Sequence, residues 1–260
     1  GIAPVRNHSS GLVPVTGDGS YDWDGYLPII QKPNELNPKS GFIATANQNV
    51  APEDYKHWNA IGFSWSDPYR GDRVNEFLES KNHLNMEDMR RLQTDVASLP
   101  ARTLIPLLLE LPLDPQLAQL QNKFSNWDQR LEPTSIEAGI YVAWEDEIQR
   151  LAHEKFVPEN VKKHLGKLQL KRILDWIQKP KDSPFKSDSS RNSFLMEAFK
   201  NAFGNLKKSL GEEPLKWQYG QEAYKHSSIT HALGAVASSQ YAKKLNLPSL
   251  PRGGNAYTPG

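Results

Sequence analysis

An α+β chain is what this sequence predicts, and three observations carry the prediction. Residues 1–50 are rich in Gly, Pro and Asn with only short apolar runs between them, the pattern of brief strands joined by turns. From Asp72 the apolar positions change to helical spacing, and that period recurs through the middle of the chain as far as Leu206. From Trp217 short turns and strand-like runs return. Three segments are therefore expected: β-rich 1–70, mainly helical 71–215, and a return to β structure over 216–260.

Within the first segment Gly11, Gly17, Gly19 and Gly25 punctuate the chain. Tyr21 and Trp23 alternate with Asp22 and Asp24, which sets aromatics on one side of a strand and acids on the other. Such aromatics either line a pocket or pack beneath a loop. Asp18, Asp22 and Asp24 lack the glutamate that closes an EF-hand loop, and an Asp-Gly turn accounts for Asp18. Phe42-Ile43-Ala44, bounded by Gly41 and by Asn47-Gln48-Asn49, reads as a buried strand running into a loop.

The helical signals follow in order. Val74, Phe77 and Leu78 mark a short helix with Arg73 in its first turn. Asn85 is expected to cap a helix from Met86 to Ser98, with Asp88 at the third position and Pro100 ending it. Pro106 lies inside the apolar run Leu104–Leu111, so that helix is either kinked or begins at the proline. Asp114-Pro115 opens another, whose apolar face holds Leu117, Leu120, Phe124 and Trp127. Thr134 and Glu137 form a capping box before a stripe of Ile136, Ile140, Trp144, Ile148 and Leu151, which is expected to be core. Glu145, Asp146 and Glu147 are consecutive, point around that helix and are expected in solvent. Residues 179–190 read as an exposed loop, Ser190 as the next cap, and Phe194, Leu195, Ala198, Phe199, Ala202 and Leu206 as a buried face ended at Gly211.

Composition narrows the function. Lys plus Arg number 31 against 30 for Asp plus Glu, so there is no overall basic field to gather nucleic acid or an anionic membrane. The lysines from Lys162 to Lys171 have only Trp176 as an aromatic companion, weak support for a nucleic-acid surface. No run reaches the roughly 18 to 20 apolar residues of a membrane helix, so a soluble globular chain is expected. The absence of cysteine removes disulfides, thiolate catalysis and cysteine metal sites together. Phosphate-cradling loops, a dinucleotide GxGxxG and an HExxH zinc helix are all missing. His226 and His231 are five apart, which suits neither one helical face nor strand alternation, so no metal site is expected there.

Asn47, at a strand end, offers a side-chain N–H to a developing oxyanion, a role that needs a neutral donor in a dry site. The other reading makes Asn47 a turn residue, since asparagine tolerates left-handed backbone. Arg73, read from the residues alone, is a solvated arginine at a helix start.

The stretches PVTGDGSYDWDGYLP, LNPKSGFIATANQNV, YRGDRV and MEDMRRLQTDVASLPARTLIPLLL, then RNSFLMEAFKNAFGNLKKSLG, KWQYG and HSSITH, occur in one order along nearly the whole chain. In that order they resemble the central part of the large chain of the penicillin acylase family, which includes acyl-homoserine-lactone acylases. The resemblance implies an αββα N-terminal-nucleophile hydrolase sandwich, with 1–70 and a truncated 216–260 in its β-rich core. It implies cleavage of a linear amide by acyl transfer to a serine freed by self-cleavage, with the serine's own α-amine as base. On it, Asn47 is the oxyanion donor and Arg73 the arginine beside the nucleophile and its amine.

The same resemblance implies a small-molecule amide substrate of penicillin, cephalosporin or acyl-homoserine-lactone type. It also implies a periplasmic or extracellular location. Gly1-Ile2-Ala3-Pro4 resembles the family's interior, so a fragment is expected, inactive alone, whose partners are the small chain and nucleophile segment of the same precursor. Calcium, which some family members bind, is implied only weakly here: Gly11 matches a backbone ligand and Asp67 is the one acid near the side-chain position, so no tight site is expected. The competing reading is a non-catalytic helical interaction or scaffold module, with Asn47 and Arg73 as ordinary turn and cap residues.

Overall fold

The computed structural model describes residues 2–260 and divides the chain into two compact units, Gly1–His83 and Leu84–Gly260. In the first, β1 (Ala3–Pro4) pairs antiparallel with β2 (Tyr26–Leu27), followed by the short helix α1 (Trp58–Ile61) and by α2 (Tyr69–Glu79). Most of the remainder is turn and irregular chain. The expected strand over Phe42–Ala44 does not form: those residues have no ladder partner, and Ile43 is exposed. An apolar run makes a strand only where a second backbone takes up its N–H and C=O groups. Trp23 and Tyr26 meet edge to face at 6.0 Å but stay on the surface.

The second unit is helical: α3 (Met86–Gln93), α4 (Leu99–Glu110), α5 (Pro115–Gln121), α6 (Ile136–Phe156), α7 (Glu159–Lys162), α8 (Leu170–Gln178), α9 (Asp188–Leu210) and α10 (Ser239–Leu245). A hairpin of β3 (His226–Ser227) and β4 (Leu250–Pro251) closes the strand content of the described residues. Its core is the α6–α9 pair. Trp144 on α6 donates its indole N–H to the Leu195 carbonyl of α9 at 3.1 Å and meets Phe199 edge to face at 5.8 Å. Of the two apolar stripes read from the sequence, Ile140, Trp144, Ile148 and Leu151 on one and Phe194, Leu195, Ala198, Phe199, Ala202 and Leu206 on the other are buried, while Ile136 at the start of the first is half-buried.

Caps decide the helix boundaries, and several lie elsewhere than expected. Asn85 and Asp88 form the reciprocal capping box, but α3 ends at Gln93. Ser98 then caps α4 through the Ala101 N–H, so Pro100 begins a helix rather than ending one. A proline is tolerated in the first turn because its missing N–H has no intrahelical partner there. Pro106 is inside α4, which starts well before it. The cap of α6 is Ser135, not Thr134, and the cap of α9 is Ser187, not Ser190. The loop read as exposed over 179–190 buries Pro180, Ser183 and Phe185, with Phe185 packed on Phe156 and Phe194.

The acids of α6 give the largest correction. Only Asp146 is in solvent; Glu145 and Glu147 are 2% and 4% exposed. The helix carries α9 on one side, while residues 217–224 and 254–257 lie against another. Gly139 allows that second contact, since a Cβ there would stand 2.4 Å from the Trp217 carbonyl. Tyr224 donates its hydroxyl to the Gly139 carbonyl at 2.7 Å. A helix covered on two faces buries residues that a one-sided amphipathic pattern assigns to water.

Candidate functional site

The residues singled out by the sequence both lie in the first unit, on the loop 44–49 and on α2. Asn47 adopts a left-handed backbone, φ 69°, a conformation asparagine accepts more readily than other residues with a Cβ. Its carbonyl accepts the Ser66 N–H at 3.0 Å. One residue away, the Gln48 side chain accepts the Ala46 N–H at 2.6 Å. Gln48 packs over Gly71 of α2 so closely that a Cβ at residue 71 would fall 2.3 Å from its amide carbon. The loop is thus tied through its backbone to Ser66, just before α2, and packed on the helix through the Gln48 side chain.

The Asn47 carboxamide is fixed separately. Arg70 sends Nη2 to the Ala46 carbonyl at 3.0 Å and to Asn47 Oδ1 at 2.5 Å. One turn further along α2, Arg73 places Nη1 at 3.0 Å from Glu76 Oε2, its side chain 17% exposed. Arg70 and Arg73, three apart on the helix, present two guanidinium groups on neighbouring positions of one face. Asn47 itself is exposed in this unit. The dry surroundings that an oxyanion donor needs are not provided by residues 2–83 themselves.

Beside the loop lies a cavity of about 590 Å³, lined by Phe42, Ile43, Thr45, Val50, Asn75 and Glu79 among others. Its walls include the run that leads to Asn47 and the outer turns of α2. Gly11 has left-handed backbone and donates its N–H to Ser9 Oγ at 3.2 Å, and among the described residues no three acidic or histidine side chains converge to hold a metal. His226 and His231 are apart in role as well as sequence, His226 Nδ1 facing Ser249 Oγ at 2.9 Å and His231 Nδ1 accepting the Leu233 N–H.

A second polar cluster, in the second unit, was not foreseen. Glu145 accepts the Tyr141 hydroxyl at 2.6 Å and the Asn255 side-chain N–H at 2.8 Å. Burial pushes its carboxyl up to about 8, the Tyr141 bond opposing the rise and Asp146 adding to it. Burial likewise raises the Tyr219 and Tyr224 hydroxyls. The cluster borders a cavity of about 370 Å³ that also meets Lys167, Lys225 and Tyr257. Its polar groups are spent on one another, tying α6 to the segment around Asn255. The signal was available: Ala138, Tyr141, Val142, Glu145, Gln149 and Ala152 form a second stripe on α6 beside the apolar one. Arg70 was equally visible, three residues before Arg73.

The profile of the penicillin amidase family matches residues 1–260, and the chain belongs to that family. It is 26% identical over 284 aligned residues to an acyl-homoserine lactone acylase, QuiP, of Pseudomonas fluorescens, covering 97% of this chain and 34% of that protein. It is 28% identical over 151 residues to the penicillin acylase 2 proenzyme of a Pseudomonas species, covering 57% of this chain and 19% of the other. Among solved structures, a thermostable penicillin G acylase from Alcaligenes faecalis superposes with a TM-score of 0.62 at 18% identity, over 83% of this chain and 45% of that one. The chain thus spans about a third of the length of the acyl-homoserine lactone acylase it matches.

Proposed function

We propose that this chain is part of an amidohydrolase that cleaves linear amides of the penicillin, cephalosporin or acyl-homoserine-lactone type by acyl transfer to an amino-terminal serine. Family membership supports amide hydrolysis. The observation that carries the assignment to residues is the anchored loop that presents the Asn47 carboxamide beside α2. In this reading the serine hydroxyl attacks the acyl carbonyl and its α-amine takes the proton. The carbonyl oxygen becomes an oxyanion, to which Asn47 Nδ2 donates, and the amine leaves with a proton. Water then releases the acyl group by the same steps. Arg73 holds positive charge near the α-amine, favouring its neutral, basic form.

The serine and the small chain are supplied, in this reading, by segments of the full-length protein other than these 260 residues. Ile29, Ile30, Leu36 and Ile43 lie exposed in the first unit, which supports their being covered there. The β-rich stretches would join an αββα sandwich in that assembly, at a periplasmic or extracellular location. The 260-residue chain alone is expected to show no hydrolysis of a phenylacetyl or long-chain acyl amide above an inert control protein.

The deciding test is Asn47→Ala in the full-length protein. It should lower kcat about a hundredfold or more, with KM and thermal midpoint nearly unchanged, because the donor acts mainly when charge develops on oxygen. Turnover within a few-fold of the parent would remove Asn47 from the mechanism.

A further inference from the structure

We infer that Arg70 is a positioning residue for the oxyanion donor: its guanidinium claims Asn47 Oδ1 and so turns Nδ2 outward as the one polar atom left to meet substrate. The inference rests on the proposed role of Asn47 and deepens it. A carboxamide has an acceptor end and a donor end of nearly equal size, and a half-turn about its terminal bond exchanges them. An asparagine free to turn presents a donor for only part of the time. Arginine has five donors, no acceptor, and stays charged at any working pH, so the atom within 2.5 Å of Nη2 must be the oxygen. The opposite orientation would set N–H against N–H. Arg70 therefore selects one of the two faces of the amide.

The contact with Asn47 Oδ1 is not the loop's sole anchor. The Ser66–Asn47 backbone bond and the Gln48–Ala46 bond also hold the loop's main chain, and Gln48 packs over Gly71 of α2. Arg70 adds its own backbone bond to the Ala46 carbonyl, and with the same nitrogen reaches the side chain beyond. That second reach is what a structural clamp would lack. A cation on the amide oxygen also withdraws electron density from the nitrogen, so the outward N–H becomes a stronger donor to an anion. Among the described residues no protein acceptor takes a hydrogen bond from Nδ2, which leaves it available for a substrate oxygen.

The experiment uses the full-length protein and a chromogenic amide. Arg70→Ala should lower kcat about tenfold to a hundredfold, as expected when a catalytic group is misplaced without being removed, with KM little changed. Added guanidinium should restore part of the lost kcat in Arg70→Ala and none in Asn47→Ala. In an Asn47→Ala background, Arg70→Ala should cost nothing further in kcat. Arg70→Lys, which keeps the charge and one donor, should lie between the parent and Arg70→Ala. If Asn47→Ala lowers kcat while Arg70→Ala leaves it unchanged, or adds its full effect in the double variant, Arg70 does not act through Asn47 and the inference fails alone. If Asn47→Ala itself leaves kcat intact, the parent reading fails with it. Should Arg70→Ala not fold, Arg70→Lys and Arg70→Gln with their double variants carry the same comparison, and additivity there overturns the proposal.

Discussion

The two units of this chain reach order by different physical routes. Residues 84–260 bury a continuous apolar core, with Trp144, Tyr141, Trp217 and Phe199 at most 1% exposed. Among the described residues before position 84, the buried apolar side chains are Leu27 and Ala60, while Leu12, Val13, Ile29, Ile30, Leu36, Ile43 and Val50 are exposed. What holds the first unit is a set of turns and directed hydrogen bonds: Asp18 to the Ser20 N–H, Asp24 to the Asn7 N–H, and Arg70 to the 46–47 loop. The difference teaches how each unit is held. The helical unit is held by burial, and the loop unit carries the candidate site on precisely aimed polar contacts that contribute only about 1 kcal/mol each.

The largest effect that tests this contrast is at Asn47. Asn47→Asp should be better tolerated by the fold than Asn47→Ala, because a carboxylate beside Arg70 gains a charge-assisted bond. It should nonetheless have lower turnover than the alanine variant, since an acceptor replaces the outward donor. A thermal midpoint at or above that of the parent, with kcat reduced by more than about a hundredfold, is the expected pair of readings. Near-parental turnover would mean that Asn47 only closes a turn.

Core truncation should separate the units next. Phe199→Ala removes a ring packed on Trp144 and should cost about 3–5 kcal/mol, measured by urea unfolding. Ile30→Ala, at a residue 80% exposed, should stay within about 0.5 kcal/mol in the same chain. A comparable loss at both sites would show that the first unit possesses an apolar core after all.

Glu145 supplies a pH-dependent test confined to the helical unit. Its folded carboxyl is raised from 4.5 to about 8, so the native chain keeps a proton that the unfolded chain releases. The stability associated with that proton is complete below about pH 4.5 and is lost as pH rises toward 8. Glu145→Gln keeps an acceptor for Asn255 and should flatten this slope. Glu145→Ala leaves the Tyr141 hydroxyl and the Asn255 amide without their partner and should cost about 1–3 kcal/mol. An unchanged slope in the Gln variant would mean that the carboxyl is ionised in the folded chain.

Two helical glycines give the smallest and most local comparison. Gly139→Ala drives a methyl against the Trp217 backbone carbonyl, which the packed segment cannot easily relieve, and should destabilise by about 1–3 kcal/mol. Gly71→Ala meets only the Gln48 side chain, which can swing away. Its thermal midpoint should change little, while turnover of the full-length protein falls because the loop beside Asn47 loses the Gln48 contact.

Much of this was legible along the chain. Helical periodicity located α2, α5, α6 and α9, since a buried stripe repeats in sequence wherever one helix face meets a core. The Asn85 box and Gly211, with φ 92°, were read correctly because their geometry involves only near neighbours. Boundaries at Ser98, Ser135 and Ser187 were not, because adjacent hydroxyls compete for the same cap and tertiary packing selects among them. The strand expected at Phe42–Ala44 failed for the opposite reason: pairing depends on a second backbone that local pattern does not specify.

The same division runs through the site. By itself the sequence determined family membership, the helices α2, α5, α6 and α9 and the placing of Asn47 and Arg73 as the residues of interest, because motif order and periodicity are properties of one chain; α10, within the stretch expected to be β structure, was not among them. Only the tertiary structure decided that Arg70 faces Asn47 across the 46–47 loop, that the amide is held by its oxygen, and that Glu145 is buried where its carboxyl is pushed up. Those facts depend on which groups meet across long stretches of chain, where distance, orientation and exclusion of water set the energies and sequence spacing does not.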